Sequence, residues 1–420
     1  MTPLRIAVAG LIALAVAMGI GRFAFTPILP MMLNDRVVDL NGASWLASAN
    51  YLGYLSGAAA LTLQPMLWAR MRWRALDAPT LVRVGLVATG VLTLAMALPY
   101  DASWAVLRFA AGLASALVFV YSSGWCLARL AALGEASLGG LMFAGPGAGI
   151  VASGLLAHAM VSAGRSAAAA WLLFGVAACV LTAFVWGTFK MPRSALPASD
   201  AAPAAPHPAR ATPPVAVVES GSHGRIEVGT LAVGYGISGF GYIVTATFLP
   251  VIARAALPAD SPWLDLFWPI FGAGVIVGAL LATRVRVSGD LRLLIAAAYV
   301  VQAIAIAIGV GMPTAAGFAT GSLLLGLPFT AITYFALQEV RRLRPAHVAA
   351  TTGLVTVMWS IGQAAGPPMV AAMLRHTSDV NAAFTRSLAI AAGTLVCGAL
   401  VFLAASRVWP KQRSGAAVAT

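Results

Sequence analysis

Long apolar runs separated by short polar joints dominate this chain. Twelve runs stand out, at residues 6–32, 43–63, 80–98, 103–125, 138–162, 168–189, 227–253, 262–283, 291–312, 314–338, 347–374 and 384–406. Crossing the hydrocarbon of a bilayer takes about 20 helical residues at about 1.5 Å each, so every run predicts one spanning helix. Barrel strands would alternate polar and apolar over about ten residues, and these runs do not alternate. The pattern predicts an all-α membrane protein with 12 transmembrane helices. The first run is too long for the apolar core of a signal peptide and lacks a small-residue cleavage site, so no cleavable signal is expected.

An even number of spans puts both termini on one side, and the basic residues say which. Of the 26 Lys and Arg, nineteen fall in joints on the side of the termini, five on the opposite side (Arg36, Arg165, Arg254, Arg375, Arg386), and two within spans. Cytoplasmic joints collect Lys and Arg, so both termini are expected in the cytoplasm. The net charge of +13 therefore reads as topology rather than as a nucleic-acid footprint. Residues Met191–Gly224 hold seven prolines among Ala, Ser and Thr and cannot bury a core. The chain then divides into a six-helix bundle at 1–190, a cytoplasmic linker at 191–226 and a second six-helix bundle at 227–420.

Composition agrees: 60% of residues are hydrophobic and 9% charged, against about 25% charged in an ordinary soluble protein. Soluble enzymes, disulfide scaffolds and disordered chains are excluded. The three cysteines, Cys126, Cys179 and Cys397, have no metal-ligand spacing, so neither metal nor cofactor is expected.

The halves echo one another. Gly19–Pro30 (GIGRFAFTPILP) and Gly239–Pro250 (GFGYIVTATFLP) share G-x-G-x7-L-P at an offset of 220 residues, and Gly145-x3-Gly149 is matched more loosely by Gly362-x3-Gly366. A six-plus-six repeat is the layout of a two-bundle transporter with its site near the midplane. Along nearly the whole chain this resembles the major facilitator superfamily. Arg108-Phe-Ala-Ala-Gly112 followed by Ala116 looks like its R-x3-G-x3-A signature, and Gly145-Pro146 lies in a partial match to its exporter motif, without the second terminal glycine. The span-one and span-seven strings, with Gly362-Gln-Ala-Ala-Gly-Pro367, are similar to the YbfB/YjiJ-like branch. The resemblance implies two pseudo-symmetric bundles, a multi-pass protein of the bacterial inner membrane and action as a monomer. One departure matters: after Gly57 the joint keeps Arg70, Arg72 and Arg74 but has no acidic partner, so the charge lock usual at the cytoplasmic gate is incomplete.

Arg22 is the most informative residue. It lies about 24 Å from the start and about 15 Å from the end of span one, beyond reach of either interface. Facing lipid there would cost several kcal/mol, so it should face the interior. It reads either as an anion site or as a tie to backbone carbonyls of another helix. The repeat places Tyr242 opposite it, as a donor and acceptor in the same cavity or as a packed core ring. Asn50 and Tyr54 share a face of span two; with Tyr334 and Gln363 they are candidates for the cavity wall or for interhelical hydrogen bonding. Arg108 lies about 8 Å inside the outer end of span four, for coupling, gating or structure. Gly19, Gly21, Gly239 and Gly241, with Gly145, Pro146, Gly149, Gly362 and Gly366, read as close-approach or bending positions.

Ion coupling has few candidates. No Asp or Glu lies mid-span. Asp265 sits near the outer end of span eight and His158 in the outer part of span five, while Glu227 opens span seven and Glu339 closes span ten on the cytoplasmic side. A proton relay needs a titratable carboxylate or imidazole in the membrane, so His158 and Asp265 carry that role if protons are the coupling ion. The expected function is a secondary transporter moving a small organic, anionic solute by alternating access. A proton-coupled efflux pump for drugs or metabolites is the alternative. A membrane-embedded enzyme would need a clustered nucleophile, metal set or paired carboxylates, and a receptor a soluble output domain; neither is visible. Gly221-Ser-His-Gly224 lacks the lysine of a phosphate-binding loop.

Overall fold

Span one is built in three pieces. Helix α1 (Pro3–Leu14) opens on a proline, where the missing N–H has no partner to lose. A nine-residue π-helical segment follows, Ala15–Phe23, and then α2 (Phe25–Asn34), with Pro30 inside it. The computed structural model describes residues 1–71, 77–190, 222–285, 289–377 and 379–410. Residues 191–221 of the linker, and Arg72, Arg74, Arg193, Arg210, Arg286, Lys411 and Arg413, lie outside them.

The remaining helices are α3 (Leu40–Met71), α4 (Ala78–Ala95), α5 (Asp101–Ala132), α6 (Gly139–Met142), α7 (Gly145–Ser162), α8 (Ala167–Trp186), α9 (Ser222–Ala256), α10 (Phe267–Ala282), α11 (Leu291–Gly311), α12 (Ala315–Gly326), α13 (Phe329–Leu343), α14 (Val348–Arg375) and α15 (Val380–Val408). No strand occurs among the described residues. Nine helical stretches among them are long and apolar enough to cross a membrane, and α10 is a shorter apolar helix.

Several helices outrun their apolar runs. α3 continues to Met71 rather than 63, α5 to Ala132 rather than 125, and α9 begins at Ser222 rather than 227. Hydropathy marks where lipid ends, whereas a helix ends where its backbone hydrogen bonds do, and polar side chains do not stop it. Two expected spans are broken instead. Span five divides between α6 and α7, where Pro146 stands in the first turn of α7, and span ten divides at Leu327-Pro328. A proline has no N–H for the carbonyl of the preceding turn, and its ring crowds that carbonyl.

The few acidic and hydroxyl residues at the joints are used as N-caps. Asp77, Ser166, Asp290, Thr314 and Asp379 each accept a backbone N–H in the first turn of α4, α8, α11, α12 and α15. The outer faces are apolar: Val106, Val180, Phe184 and Leu400 are exposed, as lipid-facing side chains should be. In α9, 83% of the most apolar window is buried, against 39% in α4, α8, α11 and α15. Span one, at 67%, and α9 are thus the most buried of these nine stretches.

Small residues let the inner helices touch. A Cβ on Gly19 would lie 2.4 Å from the Cα of Gly149, and one on Gly239 2.1 Å from the carbonyl oxygen of Trp359. Gly145, Gly362 and Gly241 are similarly close to Leu11, Gly236 and Leu395. Contacts between the segments before and after the linker run through α3 on α14, α7 on α10, and α2 on α9. At the last of these Thr26 donates its hydroxyl to the carbonyl of Ala246 at 2.9 Å, a pair 220 residues apart like Gly19 and Gly239.

Candidate functional site around Arg22

Arg22 projects from the π-helical segment into the middle of the protein and is 1% exposed. Its Nη2 donates to Oε1 of Gln363 on α14, and Gln363 in turn donates Nε2 to the hydroxyl of Tyr242 on α9. Gln363 therefore links Arg22 to the residue that the repeat places opposite it. Arg22 Nε and Nη1 make no hydrogen bond among the described residues.

Aromatic rings fill the rest of the surroundings. The guanidinium carbon stands 3.9 Å from the ring centre of Tyr54, and the rings of Tyr51, Phe23 and Trp359 follow at 5.3, 5.5 and 5.6 Å. Trp359 is stacked between Tyr242 and Tyr235, at 5.9 and 6.0 Å with interplanar angles of 14° and 16°. Phe329 meets Tyr242 edge-on at 4.8 Å. Ring faces are electronegative and favour a cation. They do not neutralise it.

No carboxylate pairs with Arg22 or Arg108 among the described residues. The buried Arg292, by contrast, is paired, as is the exposed Arg342 beside it. Arg292, equally buried, bonds Asp290 and Glu227 at 2.8 and 2.9 Å and lies 3.7 Å from Glu339, and Arg342 bonds Glu227 and Glu339 at 2.7 and 2.6 Å. This five-residue network joins α9, α11 and α13. The sequence put Glu227 and Glu339 at span ends but could not join residues so far apart in the chain. Asp290 precedes α11; burial pushes its carboxyl up, but the hydrogen bonds and charge of Arg292, with that of Arg342, outweigh this and hold it below its ordinary value.

Arg108 turns inward rather than toward the interface and is 2% exposed. Its Nη1 and Nη2 donate to the carbonyls of Gly21 and Arg22 at 3.4 and 3.2 Å. A π-helical carbonyl looks five residues ahead for its N–H, and for Arg22 that residue is Pro27, which has none. Arg108 supplies a donor in its place. Asn50 donates to the carbonyl of Arg108 at 2.9 Å, so it stands one contact behind the Arg22 pocket.

Among the sequence candidates, Arg22, Tyr54, Tyr242 and Gln363 meet in one place, and Asn50 and Arg108 back them. Tyr334 does not join them; it packs on Phe335 and accepts from Gln338 at 3.1 Å. His158 and Asp265 come together elsewhere, with Nδ1 and Oδ2 3.4 Å apart between α7 and the turn before α10, and Arg254 also bonds Asp265. Tyr51, Tyr235, Thr247 and Trp359 were not singled out from sequence. Tyr51 bonds the hydroxyl of Thr247 at 2.9 Å, and Tyr235 that of Thr333 at 2.8 Å. A signal for Trp359 did exist: a tryptophan mid-span lies away from the interfacial belts where this residue type collects, and it precedes Gln363 by one helical turn.

Comparison with known proteins follows the same line. A family model described as "Uncharacterised MFS-type transporter YbfB" matches residues 14–403. No curated protein matches the chain. Among solved structures, the nucleoside transporter NupG is similar at a TM-score of 0.64 and 14% identity, covering 96% of this chain and 99% of its own. A mutant of the same transporter gives 0.66 at the same identity and coverage.

Proposed function

Given that this chain belongs to the family of uncharacterised MFS-type transporters named for YbfB, we propose that its cargo is a small organic anion held at Arg22 and carried by alternating access. Family membership makes the protein a membrane-embedded secondary transporter of a small solute, and not an enzyme. The finer reading has twelve spans, both termini in the cytoplasm and two six-helix bundles at 1–190 and 227–420 joined by the 191–226 linker. It places a working monomer in a bacterial inner membrane.

One observation carries the anion: Arg22 is buried among aromatic rings with no acidic partner among the described residues, while Arg292 at the same burial bonds two carboxylates. An uncompensated charge in a low-dielectric interior is costly, and a bound carboxylate or similar group relieves that cost. Gln363 and Tyr242 support alternating access, since they connect Arg22 to α14 and α9 through breakable hydrogen bonds. The test is counterflow in proteoliposomes with a panel of organic acids, sugars, amino acids, nucleosides and drugs. Arg22→Gln should abolish the anionic signals. Unchanged transport of every anion in that variant would end this reading.

The alternative, proton-coupled efflux of drugs or metabolites, is supported by His158 and Asp265 facing each other 3.4 Å apart. Transport by Asp265→Asn, His158→Gln that still follows an imposed pH gradient would remove those two residues as the coupling pair.

A further inference from the structure

A hollow of 380 Å³ lies away from Arg22, on the outer wall between α4 and α8. Leu86 and Thr182 are buried at its floor, while Val87, Val91, Cys179, Ala183 and Trp186 are exposed around it. Thr182 apart, its lining is apolar. Glycines set where it begins. A Cβ on Gly90 would stand 2.8 Å from Cys179 Sγ, and one on Gly175 2.5 Å from Leu94 Cγ, so the helices touch toward the end of α4 and the start of α8. From Cys179 to Trp186 α8 has no glycine, and over that stretch a groove about 10 Å long separates the two helices.

The opposite end of the groove is basic. Arg83 precedes Leu86 and Val87 by three and four residues and so shares their face of α4. It donates Nη2 to the carbonyl of Trp186 at 2.8 Å, and its guanidinium carbon lies 4.7 Å from the Trp186 ring centre. Arg5 approaches the next residue: a Cβ on Gly187 would be 3.7 Å from its Nη2. No carboxylate pairs with Arg5 or Arg83 among the described residues, and Asp77, which caps α4, has its carboxylate on Thr80. Arg83 lies about 8 Å, and Val91 about 20 Å, from the start of α4. Charge therefore stands at the level of lipid headgroups and the groove at that of acyl chains. Ordinary boundary lipid coats such a wall whatever its headgroup, whereas unpaired arginines at the mouth of an apolar slot select a negative one.

We propose that this groove binds an anionic glycerophospholipid, with an acyl chain between α4 and α8 and the phosphate at Arg83 and Arg5. The lipid bridges the two helices over the stretch where they do not touch. Its headgroup meets the end of α8 that leads into the linker. In the topology proposed above that end lies in the cytoplasmic leaflet. No residue of the Arg22 pocket takes part, so the lipid site stands or falls apart from the anionic cargo.

The test is native mass spectrometry and thermal melting of the delipidated full chain in a neutral detergent, with dioleoyl phosphatidylglycerol or dioleoyl phosphatidylcholine added. The two lipids share chains and phosphate and differ in net charge. Phosphatidylglycerol should be retained as one tight adduct, about thirtyfold more strongly than phosphatidylcholine, at about fivefold for each arginine. Each variant is first checked as monodisperse. Arg83→Gln should cut the preference to about fivefold, Arg83→Lys should keep it, and the double variant Arg5→Gln, Arg83→Gln should abolish it. Ala183→Trp fills the groove without touching either charge and should displace the adduct. Glycerol 3-phosphate, which has the charge but no chains, should neither bind nor stabilise. Equal retention of the two lipids, or a preference that survives the double variant, would overturn the proposal. An adduct unchanged by Ala183→Trp would show that the groove is not its seat. Stabilisation by glycerol 3-phosphate alone would replace the lipid with a free anion.

Discussion

Arg108 donates Nη2 to the backbone carbonyl of Arg22 at 3.2 Å. One intramembrane arginine therefore secures the backbone that carries the other, and the two differ in what they should do for the protein. Arg108→Leu leaves the carbonyls of Gly21 and Arg22 without that donor inside a dry interior, where an unsatisfied polar group costs about 1–3 kcal/mol. Its melting in detergent should fall accordingly, by about 2 kcal/mol or more in stability. A melt at or above that of the wild type would show that these carbonyls did not need it.

Arg22→Gln should behave in the opposite way. The substitution removes a buried charge with no acidic partner among the described residues. Removing a buried charge that has no compensating partner also removes its desolvation penalty. The variant should melt no lower than the wild type while anion counterflow is lost, a separation of stability from activity typical of functional positions.

Glycines at the inner contacts should tolerate nothing larger. On Gly19 a Cβ would stand 2.4 Å from Gly149 Cα, a backbone atom that cannot swing away, whereas a Cβ on Gly229 in α9 meets nothing within 4 Å. Gly19→Ala should destabilise by about 1–3 kcal/mol through overpacking. Gly229→Ala should be neutral or stabilising by up to about 1 kcal/mol, from helix propensity alone. Thermal melts of the two side by side decide the matter.

Acid should loosen the network at Arg292. The Asp290 carboxyl is held below its ordinary value by its bonds to Arg292, so its folded-state pKa lies beneath the unfolded value of about 3.9. Its stabilisation is present above that unfolded value and disappears as pH falls through the depressed one. Asp290→Asn keeps an oxygen to cap α11 but loses the charge. It should be less stable than wild type at pH 7, with the difference closing as pH drops below about 4. A constant difference across that range would show that the carboxylate charge contributes nothing.

Much of this was legible in the amino-acid sequence, and the reasons for the gaps are physical. That Arg22 is buried follows from distance alone, because its side chain cannot reach either interface from mid-span. Its relation to Tyr242 follows from the 220-residue offset. What joins them, Gln363, belongs to a third helix, and no periodicity within one helix reveals which side chain of another completes a contact. The same holds for Tyr51 with Thr247 and for Glu227 with Arg292 and Arg342, which only tertiary packing unites. The inward turn of Arg108 was undecidable from depth, since a position near the outer end permits either direction. The π-helical stretch was hidden as well, because its residues, Ala15–Phe23, read as an ordinary apolar helix.

That stretch has a mechanical consequence. A π-helical turn is wider and less favourable than an α-helical one, so span one is weakest along Ala15–Phe23, its central third, and stiff toward both ends. Bending or winding of this helix will concentrate at its soft middle, where the arginine stands. A small change of winding there turns Arg22 about the helix axis while α1 and α2 keep their seats. The charge is mounted on the compliant part of an otherwise rigid rod.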